Sequence, residues 1–257
     1  MGEIANKGEA GISISVVSHK QIRLIDNLLR DLDKQCRSSS FEVLLTLNLE
    51  ESLPFRLGDF PFPIIVIRNS VPQGFAANHN QAFNHAKGKY FCVINPDIRL
   101  KDDPFQALTS CLQAPSVGVA GPLVVNASGE IEDSARRFPS PFKILCKAFG
   151  KCKGSDYAVS ERVIYPDWIG GMFMLFRYDV FAQMKGFDPG FFLYYEDVDL
   201  CARIRLQGYE VALCPAAKVM HDARRDSHRK MKYFRWHLTS MLRFFLSPVY
   251  WRLHVRR

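Results

Sequence analysis

The chain is predicted to fold as an α/β protein on an open, mainly parallel sheet flanked by helices. Three observations predict this. Short apolar runs recur through the first half, stretches of helical periodicity lie between them, and polar residues gather where the runs end. With 257 residues, 47% of them hydrophobic and 12% aromatic, there is enough apolar surface for one large domain, or one domain with an appendage.

The elements follow in order. Ile12 to Val17 is a β-rich run that stops at the polar Ser18-His19. Ile22, Ile25, Leu29 and Leu32 then recur at three and four residues, predicting a helix. Val43 to Leu47 and Ile64 to Ile67 are continuous apolar runs, as strands buried on both faces require. Ala76 to Ala86 reads as a helix, Tyr90 to Ile94 as a buried strand, and Pro104 opens a helix through Leu112. Val117 to Val125 is another strand. Arg136 to Arg162 is rich in Lys, Pro, Gly and Ser without periodicity and is expected to be a long loop or lid. Met172 to Phe176 reads as a strand, Tyr178 to Met184 as a short helix, and Val198 to Gln207 as a helix closed by Gly208. Val211 to Leu213 is a strand followed by a loop. Ser227 to Leu246 is helical, and Pro248 interrupts it.

Charge divides the chain differently. Residues 1–226 carry 26 Lys or Arg and 26 Asp or Glu, whereas Ser227 to Arg257 carry eight Lys or Arg and no acid. The net +8 is therefore the tail's, which predicts a catalytic-type domain over 1–226 and a basic amphipathic helical extension over 227–257. Basic residues 229, 230, 232, 235 and 243 alternate there with Phe234, Trp236, Leu242, Phe244, Phe245 and Trp251. Such a helix suits an anionic membrane surface; packing on the domain or in a homodimer is the other reading. Nucleic acid is not expected, because no reader motif accompanies the charge. No apolar run reaches the roughly 18 residues a span needs, and the polar Met1 to Gly11 does not resemble a secretory signal. Seven cysteines without a CxxC pair fit a reducing cytoplasm.

In an open α/β sheet, ligands bind beyond the carboxyl ends of the strands, where Ser18-His19, Asn48 and Asn95-Pro96-Asp97 fall. Asp97, delivered by a buried strand, suits a divalent cation shared with phosphate oxygens, although Asn-Pro-Asp is equally an ordinary turn. The segment from Asn69 to Asn80 brings Gly74 to a helix start, where phosphate is attracted, with Asn78 and Asn80 able to bond base, ribose or sugar hydroxyls. Phe187 to Leu200 places Glu196 and Asp197 among large aromatics at a helix N-terminus, which favours ionised carboxylates. A base for a sugar hydroxyl needs that state; an acidic helix cap is the plainer account. His221 could complete a metal shell, and Arg224 and Arg225 could neutralise a diphosphate. Mixed His and carboxylate ligation tolerates Mn²⁺ more readily than Mg²⁺.

Taken together, Asn95-Pro96-Asp97, Trp168 to Arg177, Gly186 to Asp188, Tyr195 to Arg203, His221 and Phe234 to Leu238 resemble the inverting nucleotide-sugar glycosyltransferases of family 2, with the GT-A (Rossmann-like) fold. Within that group the chain is most similar to bacterial rhamnosyltransferases of O-antigen and related polysaccharide assembly. The resemblance implies Asp97 and His221 as ligands of Mg²⁺ or Mn²⁺, and Asp197 as catalytic base. It implies Glu196, Trp168, Gly170 and Gly171 on the acceptor side. Gly74, Phe75, Asn78 and Asn80 match the donor-binding helix start, joined on the donor side by Ser18, His19, Asn48, Asn69, Asn95, Arg224 and Arg225. The donor expected is dTDP-L-rhamnose, the acceptor a polyprenyl-diphosphate-linked saccharide, and the place of work the cytoplasmic face of the membrane. One departure stands out: Leu47-Asn48 replaces the Asp-Asn pair usual after the second strand, so a carboxylate contact to the base is not expected. Other UDP-, GDP- or dTDP-sugars are alternative donors. A sugar nucleotidyltransferase would want glycines where Ser18-His19-Lys20 stands, and a non-catalytic lipid- or polyanion-binding module would not need Asp97, Asp197 and His221.

Overall fold

The computed structural model describes residues 11–148, 154–222 and 231–255. Four apolar runs form the parallel half of the main sheet: β1 (Ile12–Ser18), β2 (Phe41–Leu47), β3 (Ile64–Arg68) and β4 (Tyr90–Ile94). The other half contains β5 (Ile98–Arg99), β6 (Val117–Val125), β9 (Phe173–Arg177) and β10 (Glu210–His221). The strands lie in the order β3-β2-β1-β4-β9-β6-β10-β5. β9 runs antiparallel between β4 and β6, and β5 runs antiparallel on the edge of β10. A separate ribbon pairs β7 (Ala135–Arg136) with β8 (Trp168–Ile169).

Side-chain alternation divides the core. Ile14, Val16, Cys92 and Ile94 pack with Ile25, Leu28, Leu29 and Leu32 of α1 (Ile22–Gln35) and with Phe105 and Leu108 of α3 (Phe105–Cys111). On the opposite face Phe91 and Val93 meet α2 (Phe75–Phe83), α5 (Tyr178–Gln183) and α6 (Glu196–Leu206) through Ala76, Phe181 and Ile204. Both faces are covered, so β3 and β4 read as nearly continuous apolar runs, while β1 and β2 also bury Ser13, Ser15, Glu42 and Thr46.

Three elements differ from expectation. Within the expected loop lies α4 (Pro141–Ala148), a short helix whose Phe142 is 76% exposed, so no apolar period marked it. β10 continues past Pro215 to His221, because a register shift between Cys214 and Lys218 absorbs the residue that cannot donate to the ladder. α6 starts at Glu196, two residues early, after Tyr194 and Tyr195 at φ 70° and 68°. At the end of the chain α7 (Met231–Leu246) is followed by α8 (Pro248–Val255), with proline at the first helical position. Phe244 and Tyr250 pack with Phe191, Tyr195, Val198 and Ala202, so the described part of the extension shares a buried cluster with α6. The charge boundary at 226/227 is not a boundary of the core. No helix among the described residues is long and apolar enough to cross a membrane.

Candidate active site

Backbone pairing assembles the site at one edge of the sheet. β10 ends beside β5, with His221 opposite Ile98, and the Asp222 N–H donates to the Asp97 carbonyl at 2.9 Å. This sets His221 Nε2 3.3 Å from Asp97 Oδ2. The other ring nitrogen, Nδ1, lies 2.8 Å from Glu132 Oε2. Flanked by two carboxylates, Asp97 foremost, the His221 imidazole is pushed up to about 9. Asp97 Oδ1 is buried without a hydrogen-bond partner. An orphan carboxylate oxygen beside an imidazole fits a hard divalent cation that takes its remaining ligands from phosphate and water. Among the described residues no group of three or more His, Cys, Asp and Glu forms a ready-made cage, so such an ion would lean on its substrate.

Asp197 stands at the N-terminus of α6. Its Oδ2 accepts the Gly171 N–H at 2.8 Å, and its Oδ1 accepts the Val198 N–H at 2.8 Å. Burial raises its affinity for a proton; the two amides and the charge of Arg136 pull it back. Glu196 beside it is pushed well above the ordinary range by burial and by Asp197, and its buried Oε2 has no partner. Of the two, Glu196 has the stronger push toward its protonated form, and Asp197, held by two amides, ionises first.

Two cavities meet here, sharing Phe75, Asn95 and Leu193 as a wall. One, of about 600 Å³, holds Glu196, Asp197, Trp168, Gly170, Gly171 and His221. The other, of about 610 Å³, holds His19, Asn48, Gly74, Asn78 and Asp97. The residues expected on the acceptor and donor sides thus fall largely into separate, adjoining spaces. A Cβ on Gly171 would lie 3.4 Å from Asp197 Oδ2, so the glycine keeps the space before that carboxylate open.

Several expected donor residues have structural work instead. Ser18 is buried, its hydroxyl donating to Glu51 at 2.7 Å, and it does not line the cavity. Asn80 lies two residues, about 200° of helix, from Asn78 and faces away. Both its amide atoms bond the Phe187 backbone, at 2.7 and 2.9 Å. Asn69 donates to Asn48 and Asn78, at 2.9 and 2.7 Å. Asn48 accepts the Gln73 N–H at 2.7 Å, and Asn78 donates to the Gly74 carbonyl at 2.9 Å. This amide network shapes the turn at the start of α2. The close approach that Gly74 permits is to the chain itself: a Cβ there would lie 2.5 Å from the Phe192 carbonyl oxygen. Arg224 and Arg225 lie outside the described residues.

Four contributors were not expected. Glu132 orients His221 from 89 residues away, a separation no local motif reveals. Tyr233 and Trp236 of α7 wall the donor-side cavity, and His237 reaches the acceptor-side one. Their spacing of three and four was visible; which face it served was not.

An open, mainly parallel sheet with an Asp–His pair and a buried Glu–Asp pair at one edge, over two joined cavities, is the layout of a GT-A glycosyltransferase. The family described as Glycosyltransferase like family 2 matches residues 58–239. The chain belongs to glycosyltransferase family 2. It is 30% identical over 247 residues to "Rhamnosyltransferase WbbL" of Escherichia coli (strain K12), covering 91% of this chain and 92% of that one. "N-acetylglucosaminyl-diphospho-decaprenol L-rhamnosyltransferase" of Mycobacterium tuberculosis is 29% identical over 147 residues, 53% of this chain and 48% of that one. Among solved structures, GalNAc-T7 with UDP, GalNAc and Mn²⁺ superposes with a TM-score of 0.69 at 13% identity, over 93% of this chain and 48% of that one. The mannosyltransferase PcManGT of Pyrobaculum calidifontis with GDP-Man and Mn²⁺ gives 0.60 at 16%, over 95% and 72%.

Proposed function

We propose that the protein transfers L-rhamnose from dTDP-L-rhamnose, with inversion, to a lipid-linked saccharide during bacterial surface-polysaccharide assembly. The observation that carries this reading is Asp197, fixed by two amides, facing a cavity that adjoins the Asp97–His221 pair. The likeness to two rhamnosyltransferases along the chain supports the sugar.

The acceptor enters beside Trp168, and Asp197 takes the proton of its hydroxyl as that oxygen attacks the anomeric carbon. Glu196, whose hold on its proton burial strengthens, has an unpartnered Oε2 with which to hold the acceptor. The nucleoside diphosphate leaves from the opposite face, and a single displacement inverts the anomeric centre. Asp97 and His221 would hold a Mg²⁺ or Mn²⁺ ion, which supplies neutralisation of the departing diphosphate. His19 and the Asn48–Asn78 turn shape the nucleoside end, roofed by Tyr233 and Trp236.

The exposed Met231, Phe234, Leu238, Leu242 and Leu246 follow one stripe of α7, with Arg235 alongside. We assign that stripe to an anionic membrane surface at the cytoplasmic face, where a lipid-linked acceptor resides. A screen of dTDP-, UDP- and GDP-sugars with Mn²⁺ tests the donor, reading product configuration by NMR. Turnover of another sugar nucleotide in place of dTDP-rhamnose would reject the donor, and a retained configuration would reject the displacement. For the stripe, Leu238→Ser with Leu242→Ser should release the protein from phosphatidylglycerol vesicles at low salt; unchanged pelleting would refute the assignment.

A further inference from the structure

A second basic concentration of the chain brings described members to the acceptor-side cavity. Residues 136–153 contain six Lys or Arg and no Asp or Glu. Among the described members, Arg136, Arg137 and Lys143 all line the cavity that holds Asp197. Two of the three already have work. Arg136 is held by the Asp133 carboxylate at 3.1 Å, lies over the Trp168 ring and lowers the proton affinity of Asp197. Lys143 is paired with Asp156. Arg137 differs. Its backbone is fixed at both ends, its N–H donating to Asp156 at 2.9 Å and its carbonyl accepting Trp168 Nε1 at 3.1 Å. Its guanidinium rests over the Tyr157 ring at 5.8 Å and forms no salt bridge among the described residues. Beyond it α4 presents Phe142, 76% exposed, while Ile144 of the same helix lines the cavity.

A guanidinium on a fixed backbone, with no salt bridge among the described residues and the exposed Phe142 nearby in the chain, fits a diphosphate attached to an alkyl chain. We propose that Arg137 binds the diphosphate of the acceptor, with Phe142 taking the first part of its lipid. This rests on the lipid-linked acceptor proposed above. The same chemistry occurs in the donor, but Arg137 lines the cavity that holds Asp197 and Trp168 and not the adjoining one that holds His19, Asn48 and Asp97.

The test uses the full chain with two acceptors: N-acetylglucosaminyl diphosphate carrying a short alkyl chain, and the same sugar as a neutral alkyl glycoside. The wild type should prefer the diphosphate. Arg137→Ala should raise KM for it about tenfold to a hundredfold, as loss of charge-assisted hydrogen bonds implies. KM for the neutral glycoside and the Kd for dTDP should not move, and Arg137→Lys should recover part of the preference. An Arg137→Ala enzyme that keeps the wild-type preference, or loses both acceptors equally, overturns the assignment while leaving the lipid-linked reading intact. A wild type indifferent to the diphosphate overturns that reading, and this proposal with it.

Discussion

Asp197 gains its chemistry from neighbours rather than from its own type. Asp197→Asn preserves shape while removing the basic oxygen, so transfer should fall at least about 10²–10⁴-fold. The Kd for dTDP, measured by calorimetry, should be nearly unchanged; substantial transfer by this variant would remove Asp197 from the role. Because burial raises its pKa, the acid limb of kcat/KM should lie above the ordinary aspartate range, with activity rising as pH rises through it. Arg136 opposes that rise, so Arg136→Gln should move the limb to higher pH; a shift downward would contradict the sign. Gly74 is a different case, since its φ of −72° is open to any residue. The requirement is space: Gly74→Ala sets a methyl 2.5 Å from the Phe192 carbonyl oxygen. Overpacking of this kind costs about 1–3 kcal/mol, to be read in a urea melt.

At the scale of elements, α7 is both wall and brace. Its inner face carries Tyr233, Trp236 and His237 to the cavities, while Ser240 donates to the Leu193 carbonyl at 2.9 Å and Arg243 reaches Asp188 at 2.9 Å. Phe244 is fully buried between α7 and the segment before α6. Phe244→Ala should cost about 3–5 kcal/mol by thermal or chemical denaturation, and little change would mean that the extension is a tether. For the same reason, deleting residues 228–257 is a poor probe of membrane attachment, because it removes core along with surface. Composition marked the extension by charge, which says nothing of the buried cluster it shares with α6. β10 shows a related blind spot: Pro215 cuts the apolar run, and only pairing with β6 carries the strand on to His221. The parallel strands were legible because each is a short run rich in β-branched and aliphatic residues, even where β1 and β2 bury Ser13, Ser15 and Glu42. α4 was not, because its eight residues sit in a stretch whose Lys, Pro, Gly and Ser read as loop.

Across the whole molecule, the sequence located residues more readily than it assigned their tasks. Asp97 and Asp197 sat at a strand end and a helix start, where an α/β sheet presents ligands, whereas His221 was read beyond a loop; the three gather around the two joined cavities. Ser18, Asn69 and Asn80 occupied equally suggestive places but bond the Glu51 carboxylate, the Asn48 and Asn78 amides and the Phe187 backbone, an outcome fixed by partners 9 to 107 residues distant. The pairing of β5 with β10 has a consequence of its own. The two side chains Asp97 and His221 straddle the outermost strand of the sheet, which is two residues long and paired on one side only. An ion bridging Asp97 and His221 would therefore act as a clasp on that margin. Amide exchange at Ile98 and Asp222 should slow when Mn²⁺ and dTDP are added together, and unaltered exchange would show that the margin stays shut without a clasp.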